Sequence, residues 1–243
     1  VGRAISLPAM ATASSIVSYL SAGAFSRLRR QFNTEILNFE GIQEKLASIA
    51  GLQYLVQVSR LMTLAAVDKG KKPAVASVIA KYFNTELGRQ DVNEAMDIHG
   101  GRTVVEGPRN YLMNHYQGIP ISVTVEGANI MSRNLLIFGQ GAMVCHPFIQ
   151  KEFFAIRDEN QQAFNEVFWG HAGYSISRFC KAFLATWSRG LLFVTTEQPK
   201  HLKPHHFLRL SYNFAFLADI ALITLGGQLK RKERLSARLA DAF

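Results

Sequence analysis

A chain of 243 residues, with 48% hydrophobic and 19% charged side chains, can bury a large core and is not a disordered tract. Its formal net charge of +9 suits an anionic partner, whether a phosphorylated cofactor, nucleic acid or acidic lipid. Two cysteines, Cys145 and Cys180, stand in no metal-ligand spacing, which argues against a disulfide scaffold or a zinc site and fits a reducing compartment such as the cytoplasm.

The start, Val1-Gly-Arg-Ala-Ile-Ser, lacks the basic flank and apolar length of a secretory signal and reads as the middle of something longer. A first helix is expected from Pro8 to Arg30, with Ile16, Leu20 and Phe25 as its bulky residues. A second covers Phe39 to Lys69, where Ile42, Leu46, Ile49, Leu52 and Val56 step by threes and fours into one stripe, and Gly70 stops it. A third opens at Pro73, buries Val75, Val78, Ile79, Tyr82 and Phe83, and ends at Gly100-Gly101. Arg102 to Val125 carries Pro108, Gly118 and Pro120 and reads as a long connection, its end (Ile119 to Val125) made of β-formers. A fourth helix is expected from Ala128 to Gly139.

These elements predict an all-α protein: a four-helix bundle over residues 1–145, then an additional helical region over 146–243 beyond the His146-Pro147 seam. In that region lie Phe148 to Asp158, an aromatic stretch from Phe164 to Trp187 and a Pro- and His-containing loop at 198–206. The apolar run Phe214–Gly227 is shorter than the ~20 residues a membrane span needs and contains Asp219, so a core helix is expected. The basic Lys230-Arg-Lys-Glu-Arg234 behind it leaves peripheral contact with an acidic membrane open.

Three short signals mark the bundle. Arg29-Arg-Gln-Phe32 closes the first helix, His99-Gly-Gly101 closes the third, and Glu126-Gly127 opens the fourth. Each alone is an ordinary helix-end device, because Arg suits a helix C-terminus and Glu an N-terminus. In this order and spacing they resemble the C-terminal helical domain of acyl-CoA dehydrogenases, with its Arg-x-Gln-Phe-Gly, Gln-x-x-Gly-Gly and Glu-Gly elements. The wording Val-Glu-Gly-Ala-Asn-Ile, then Ile137-Phe-Gly-Gln-Gly-Ala142 and Cys145-His-Pro147, looks most like the FadE-type bacterial members, whose extra C-terminal region would be the remainder of the chain. Four positions depart from the pattern: Asn33 for Gly, Asp97 for Gln, Val125 for an aromatic and Ala128 for Thr.

The resemblance implies a role for each matched residue. Glu126 would be the catalytic base that removes the α-proton of a fatty acyl-CoA, with Gly127 letting the chain approach the substrate. Arg29, Gln31 and Phe32, with the Gly100-Gly101 turn, would contact FAD, the first of these at the pyrophosphate held by a neighbouring subunit. The product would be a trans-2-enoyl-CoA in fatty acid β-oxidation, and electrons would pass to an electron-transfer flavoprotein. The resemblance also implies a homodimer or higher homo-oligomer, and N-terminal helical and middle β-domains preceding these residues, without which turnover is not expected. Two alternatives stay open: an acyl-CoA oxidase-like enzyme, and a non-catalytic helical module that docks on a membrane or partner. Nucleic acid is not expected as a partner, since no basic stripe is interleaved with aromatics. His99 reads as a capping or core histidine, and no metal site is expected.

Overall fold

In a computed structural model of the chain, residues 2–193 and 204–242 are described. Besides helices and the turns that join them they hold one two-residue strand pair, Arg30–Gln31 with Thr34–Glu35, and the chain falls into two compact units, Val1–Ser132 and Arg133–Phe243.

The first unit is a bundle of four helices: α1 (Leu7–Leu28), α2 (Glu40–Asp68), α3 (Ala74–His99) and α4 (Met113–Thr124). Direction follows from contacts. Gly88 lies against Ala11 and the His99 ring stacks on Phe25, so α1 and α3 run parallel. Asn84 donates to the carbonyl of Val56 while Lys45 approaches Glu94, so α2 runs against α3. His115 meets Ser14 and Gly118 meets Met10, so α4 runs against α1.

Helix packing selects faces that hydrophobicity alone does not. Beyond Leu7 and Pro8 at its start, the buried residues of α1 are small: Ala11, Thr12, Ser14, Ser15, Ser18, Ala22 and Ser26, while Leu20 is 62% exposed. Small side chains let α3 come close, and a Cβ on Gly88 would sit only 3.3 Å from the Cβ and carbonyl oxygen of Ala11. The buried face of α3 is rich in polar groups, Lys81, Asn84, Thr85 and Asp91 among them, whereas Val75, Ile79, Tyr82 and Phe83 are only half-buried. On α2 the expected stripe does face inward, with Ile49 and Val56 fully buried.

The fourth bundle helix differs from the expectation. It is Met113–Thr124, inside the segment read as a connection, and Ile119 to Thr124 is helical with Pro120 within it. Burial of Ile119 and Ser122 outweighs the local preference of Gly118, Pro120 and the β-branched residues. The hydroxyls of Ser122 and Thr124 bond back to carbonyls one turn earlier, those of Ile119 and Pro120, which supplies acceptors with donors near the proline. The stretch expected as a helix from Ala128 is one short turn, Asn129–Met131, followed by π-helix over Ser132–Gln140.

The second unit holds α5 (Ile149–Arg157), α6 (Gln161–Trp187), α7 (Pro204–Leu225) and α8 (Glu233–Ala242). Asn160 caps α6 by accepting from the N–H of Ala163. Phe179 against Phe216 joins α6 to α7, and Arg133 grips the carboxylate of Asp241 with two nitrogens. The loop expected at 198–206 lies outside the described residues as far as 203, and the chain is helical from Pro204. The run 214–227 belongs to a helical span of 27 residues, Pro204–Lys230, that is long and apolar enough to cross a membrane by length and composition. Only Asp219 and Ala221 of α7 are buried, so the expected core helix is largely uncovered in this chain.

Candidate functional site

The sequence-predicted residues gather at two opposite ends of the bundle. Lys81 and His99 mark those ends on α3, and 99 − 81 = 18 residues at ~1.5 Å each place them ~27 Å apart.

One end holds Arg29, Gln31, Phe32, Gly100 and Gly101. The stacking of Phe25 on His99, with ring centroids 4.4 Å apart, brings the last turn of α1 beside the last turn of α3. Arg29 follows α1, and the chain reverses through a two-residue turn in which Phe32 and Asn33 both take left-handed backbone, φ +51° and +62°. Asn tolerates this conformation well and stands where the family pattern has Gly. The Gln31 amide oxygen, in the orientation that satisfies both groups, accepts from the guanidinium of Arg29. Phe32 is 89% exposed at the tip. Gly100 caps α3 at φ +63°, and added Cβ atoms at Gly100 or Gly101 would meet nothing within 4 Å. An accessible guanidinium, an exposed aromatic ring and an open glycine turn are groups able to contact a phosphorylated aromatic cofactor.

His99 is structural, as expected. Its Nδ1 donates to the carbonyl of Ala95 and its Nε2 accepts from the hydroxyl of Tyr111 at 2.5 Å. Burial pushes its pKa down, partly opposed by the bond to Ala95, so the ring is a neutral spacer between Phe25 and Tyr111.

The other end holds Glu126 and Gly127, directly after α4. Val125 is extended, then Glu126 turns left-handed at φ +57° and Gly127 follows at +93°. A Glu in that region is uncommon and persists only where surroundings hold it. Glu126 is exposed, because the apolar run ahead of it, read as β-formers, forms the helix before it and not a wall around it. Its carboxyl lies over Gly2, where a Cβ would come within 2.5 Å of it.

Sequence reasoning missed what supports this turn. Lys81 is fully buried, and its ammonium donates to the carbonyls of Val123 and Gly127 and to Asn129 Oδ1, at 3.0, 2.8 and 2.6 Å. Asn129 in turn donates to Thr85 and Glu86. A lysine amid Val78-Ile79-Ala80 and Tyr82-Phe83 was the one hint in the sequence.

The second unit has a separate polar cluster. His146 Nε2 donates to Asp219 at 2.9 Å, Ser175 donates to the other oxygen of Asp219, and His171 Nδ1 pairs with Glu152 at 2.7 Å. Atoms of His146, His171 and Asp219 lie within 4.8 Å of one another, close enough to suggest a metal. However, His146 Nδ1 faces the backbone N–H groups of Phe148 and Ile149, so the ring carries its proton on Nε2 and has no free lone pair to give an ion. A cavity of about 710 Å³ adjoins the cluster, lined by Phe164, Phe168, Leu222, Leu229, Glu152 and His171.

Comparison with known proteins identifies the family. The model of the acyl-CoA dehydrogenase C-terminal domain matches residues 3–138, and that of the bacterial-type acyl-CoA dehydrogenase C-terminal region matches 143–243. A 3-(aryl)acrylate reductase of Clostridium sporogenes is 30% identical over 56% of this chain and 37% of its own length. The mouse very long-chain specific acyl-CoA dehydrogenase is 35% identical over 47% of this chain and 17% of its own. The chain thus spans well under half the length of these curated relatives. Among solved structures, an acyl-CoA dehydrogenase complexed with FAD from Bacillus anthracis superposes with a TM-score of 0.65, covering 99% of this chain and 39% of that one, at 20% identity. One from Geobacillus kaustophilus covers 55% of this chain and 34% of its own, with a TM-score of 0.52 and 24% identity. With the family's domain model matched over more than half its length, on an all-α bundle, the chain belongs to the acyl-CoA dehydrogenase family and carries the C-terminal portion of it.

Proposed function

We propose that this chain is the base-bearing part of a flavin-dependent dehydrogenase that converts fatty acyl-CoA to trans-2-enoyl-CoA, with Glu126 as the proton acceptor. The observation that carries the reading is the Glu126-Gly127 turn: an accessible carboxylate in left-handed backbone, held by a buried cation at the end of α4. A carboxylate on a fixed turn is well positioned to meet the carbon next to a thioester carbonyl. Glu126 would take the α-proton, and its own backbone N–H would donate to the oxygen on which charge develops. Gly127 has no side chain to keep substrate away. FAD, when bound, supplies the acceptor for the β-hydride.

The distance between the two ends of the bundle supports a division of labour between subunits. Arg29, Gln31, Phe32 and the Gly100-Gly101 turn, ~27 Å from the Glu126 end, would serve the cofactor of a neighbouring copy. An electron-transfer flavoprotein is the proposed electron acceptor, and the proposed pathway is fatty acid β-oxidation. The test is anaerobic flavin reduction in the complete flavoprotein carrying Glu126→Gln. Reduction should fall by at least about 10³-fold with FAD retained, as expected when a general base is removed. Reduction at the parent rate would remove Glu126 from the mechanism.

A further inference from the structure

We propose that Lys81 is the positioning residue for the Glu126 base, an inference that rests on the reading of Glu126 given above. The two residues are 45 positions apart (126 − 81) on different elements, and Lys81 touches the backbone on either side of Glu126, never the reacting atoms.

Burying an ammonium is unfavourable unless every proton on it is matched. Lys81 has three protons and three acceptors: the carbonyls of Val123 and Gly127 and the side-chain oxygen of Asn129. Val123 lies in the last turn of α4, whose carbonyls lack partners along the helix, and a cation is favoured there. Gly127 and Asn129 lie just past the turn. One cation therefore ties together the chain before and after Val125-Glu126, which fixes the path between them.

Lys81 is itself held. Asn129 gives both amide protons away, to Thr85 Oγ1 at 2.9 Å and Glu86 Oε1 at 2.7 Å, and this leaves only its oxygen for the ammonium. Thr85 also bonds to the carbonyl of Lys81 one turn back on α3. Ser132 adds a second donor to the carbonyl of Gly127. This degree of bonding exceeds what ending a twelve-residue helix requires, and it surrounds the one Glu in the unit with left-handed backbone. Without it, Val125 to Gly127 could relax to ordinary backbone and swing the carboxyl away from its place. Glu126 Oε1 would no longer rest over Gly2.

The experiment uses the complete flavoprotein with bound FAD, and measures the rate of flavin reduction and the Kd for the best of a ladder of straight-chain acyl-CoAs. Lys81→Met, close in length but neutral, should lower the reduction rate by about 10²-fold, the usual cost of an ångström-scale misplacement. FAD content and Kd should stay within about threefold of the parent, a split that loss of general structure would not give. Lys81→Arg should recover part of the rate, since its charge remains but its planar fork cannot reach three diverging oxygens. Should Lys81→Met not fold, Asn129→Ala carries the test, with a slower reduction and the same Kd expected. A parent-like rate in the folded variant overturns the proposal, and so does a fall in rate matched by loss of FAD and substrate affinity. Glu126→Gln run beside them separates the two claims. If it is inactive while Lys81→Met is normal, only the role of Lys81 falls; if it is active, the base assignment falls.

Discussion

His146 and Asp219 form a buried pair in which the imidazole Nε2–H points at the carboxylate from 2.9 Å, the side chains being 7% and 2% exposed. Ser175 occupies the second oxygen of Asp219, so one acid satisfies groups from α6 and from the segment ahead of α5. Asp219→Ala would leave the His146 N–H and the Ser175 hydroxyl buried without acceptors, at a cost of about 2–4 kcal/mol. Denaturant unfolding of the second unit measures it. Burial pushes the His146 pKa down, with Asp219 opposing. The folded ring thus stays neutral where the unfolded one takes up a proton, so stability is full above about pH 6.5 and lost as pH falls through the lower folded value. His146→Gln should flatten part of that slope between pH 7.5 and 5.5.

Asp91 carries a cost of the opposite sign. It is fully buried on α3, and neither oxygen has a hydrogen-bond partner of good geometry among the described residues. Burial pushes its carboxyl up to about 7, against the pull of the Ser15 hydroxyl and with help from the charge of Glu94. The folded state holds the proton more tightly than the unfolded chain, so this contribution is full below about pH 4 and disappears as pH rises through about 7. Asp91→Asn should therefore stabilise the bundle at pH 8, by about 1–3 kcal/mol. The gain should shrink towards pH 5, as Tm measured across that range would show.

What the sequence made legible was whatever depends on local chemistry. Ile49 and Val56 announced their face by spacing, and Gly70 and Gly100 announced the helix ends that they form at positive φ. Glu126-Gly127 stood out only in company: alone it is an ordinary helix start, and its order and spacing with Arg29–Phe32 and Gly100-Gly101 carry the family resemblance. The hidden features depend on partners far along the chain. Met113–Thr124 is helical because Ile119 and Ser122 bury against the bundle, which overrides the breakers Gly118 and Pro120. Lys81 is invisible to any pattern that sends lysine to the surface, and the acceptors that justify its burial lie 42 to 48 positions away. The buried small and polar faces of α1 and α3 are hidden for a similar reason: close approach selected Ala11 and Gly88, and hydrophobicity did not.

The separation of Glu126 from Arg29 gives a prediction that neither residue gives alone. If each flavin site takes its base from one subunit and its phosphate contact from the next, single variants Arg29→Ala and Glu126→Gln should each impair both sites of a homodimer. A mixed dimer with one subunit of each kind holds one site with both changes and one site with neither. Refolding or co-expressing the two inactive forms should then recover activity approaching half that of the parent per mixed dimer, with one tightly held FAD. If Arg29 instead served the site of its own subunit, every site in the mixed dimer would carry one change and no activity would return. The ~27 Å along α3 between the ends favours complementation, because a guanidinium beyond the last turn of α1 lies at the far end of the bundle from Glu126 of the same chain.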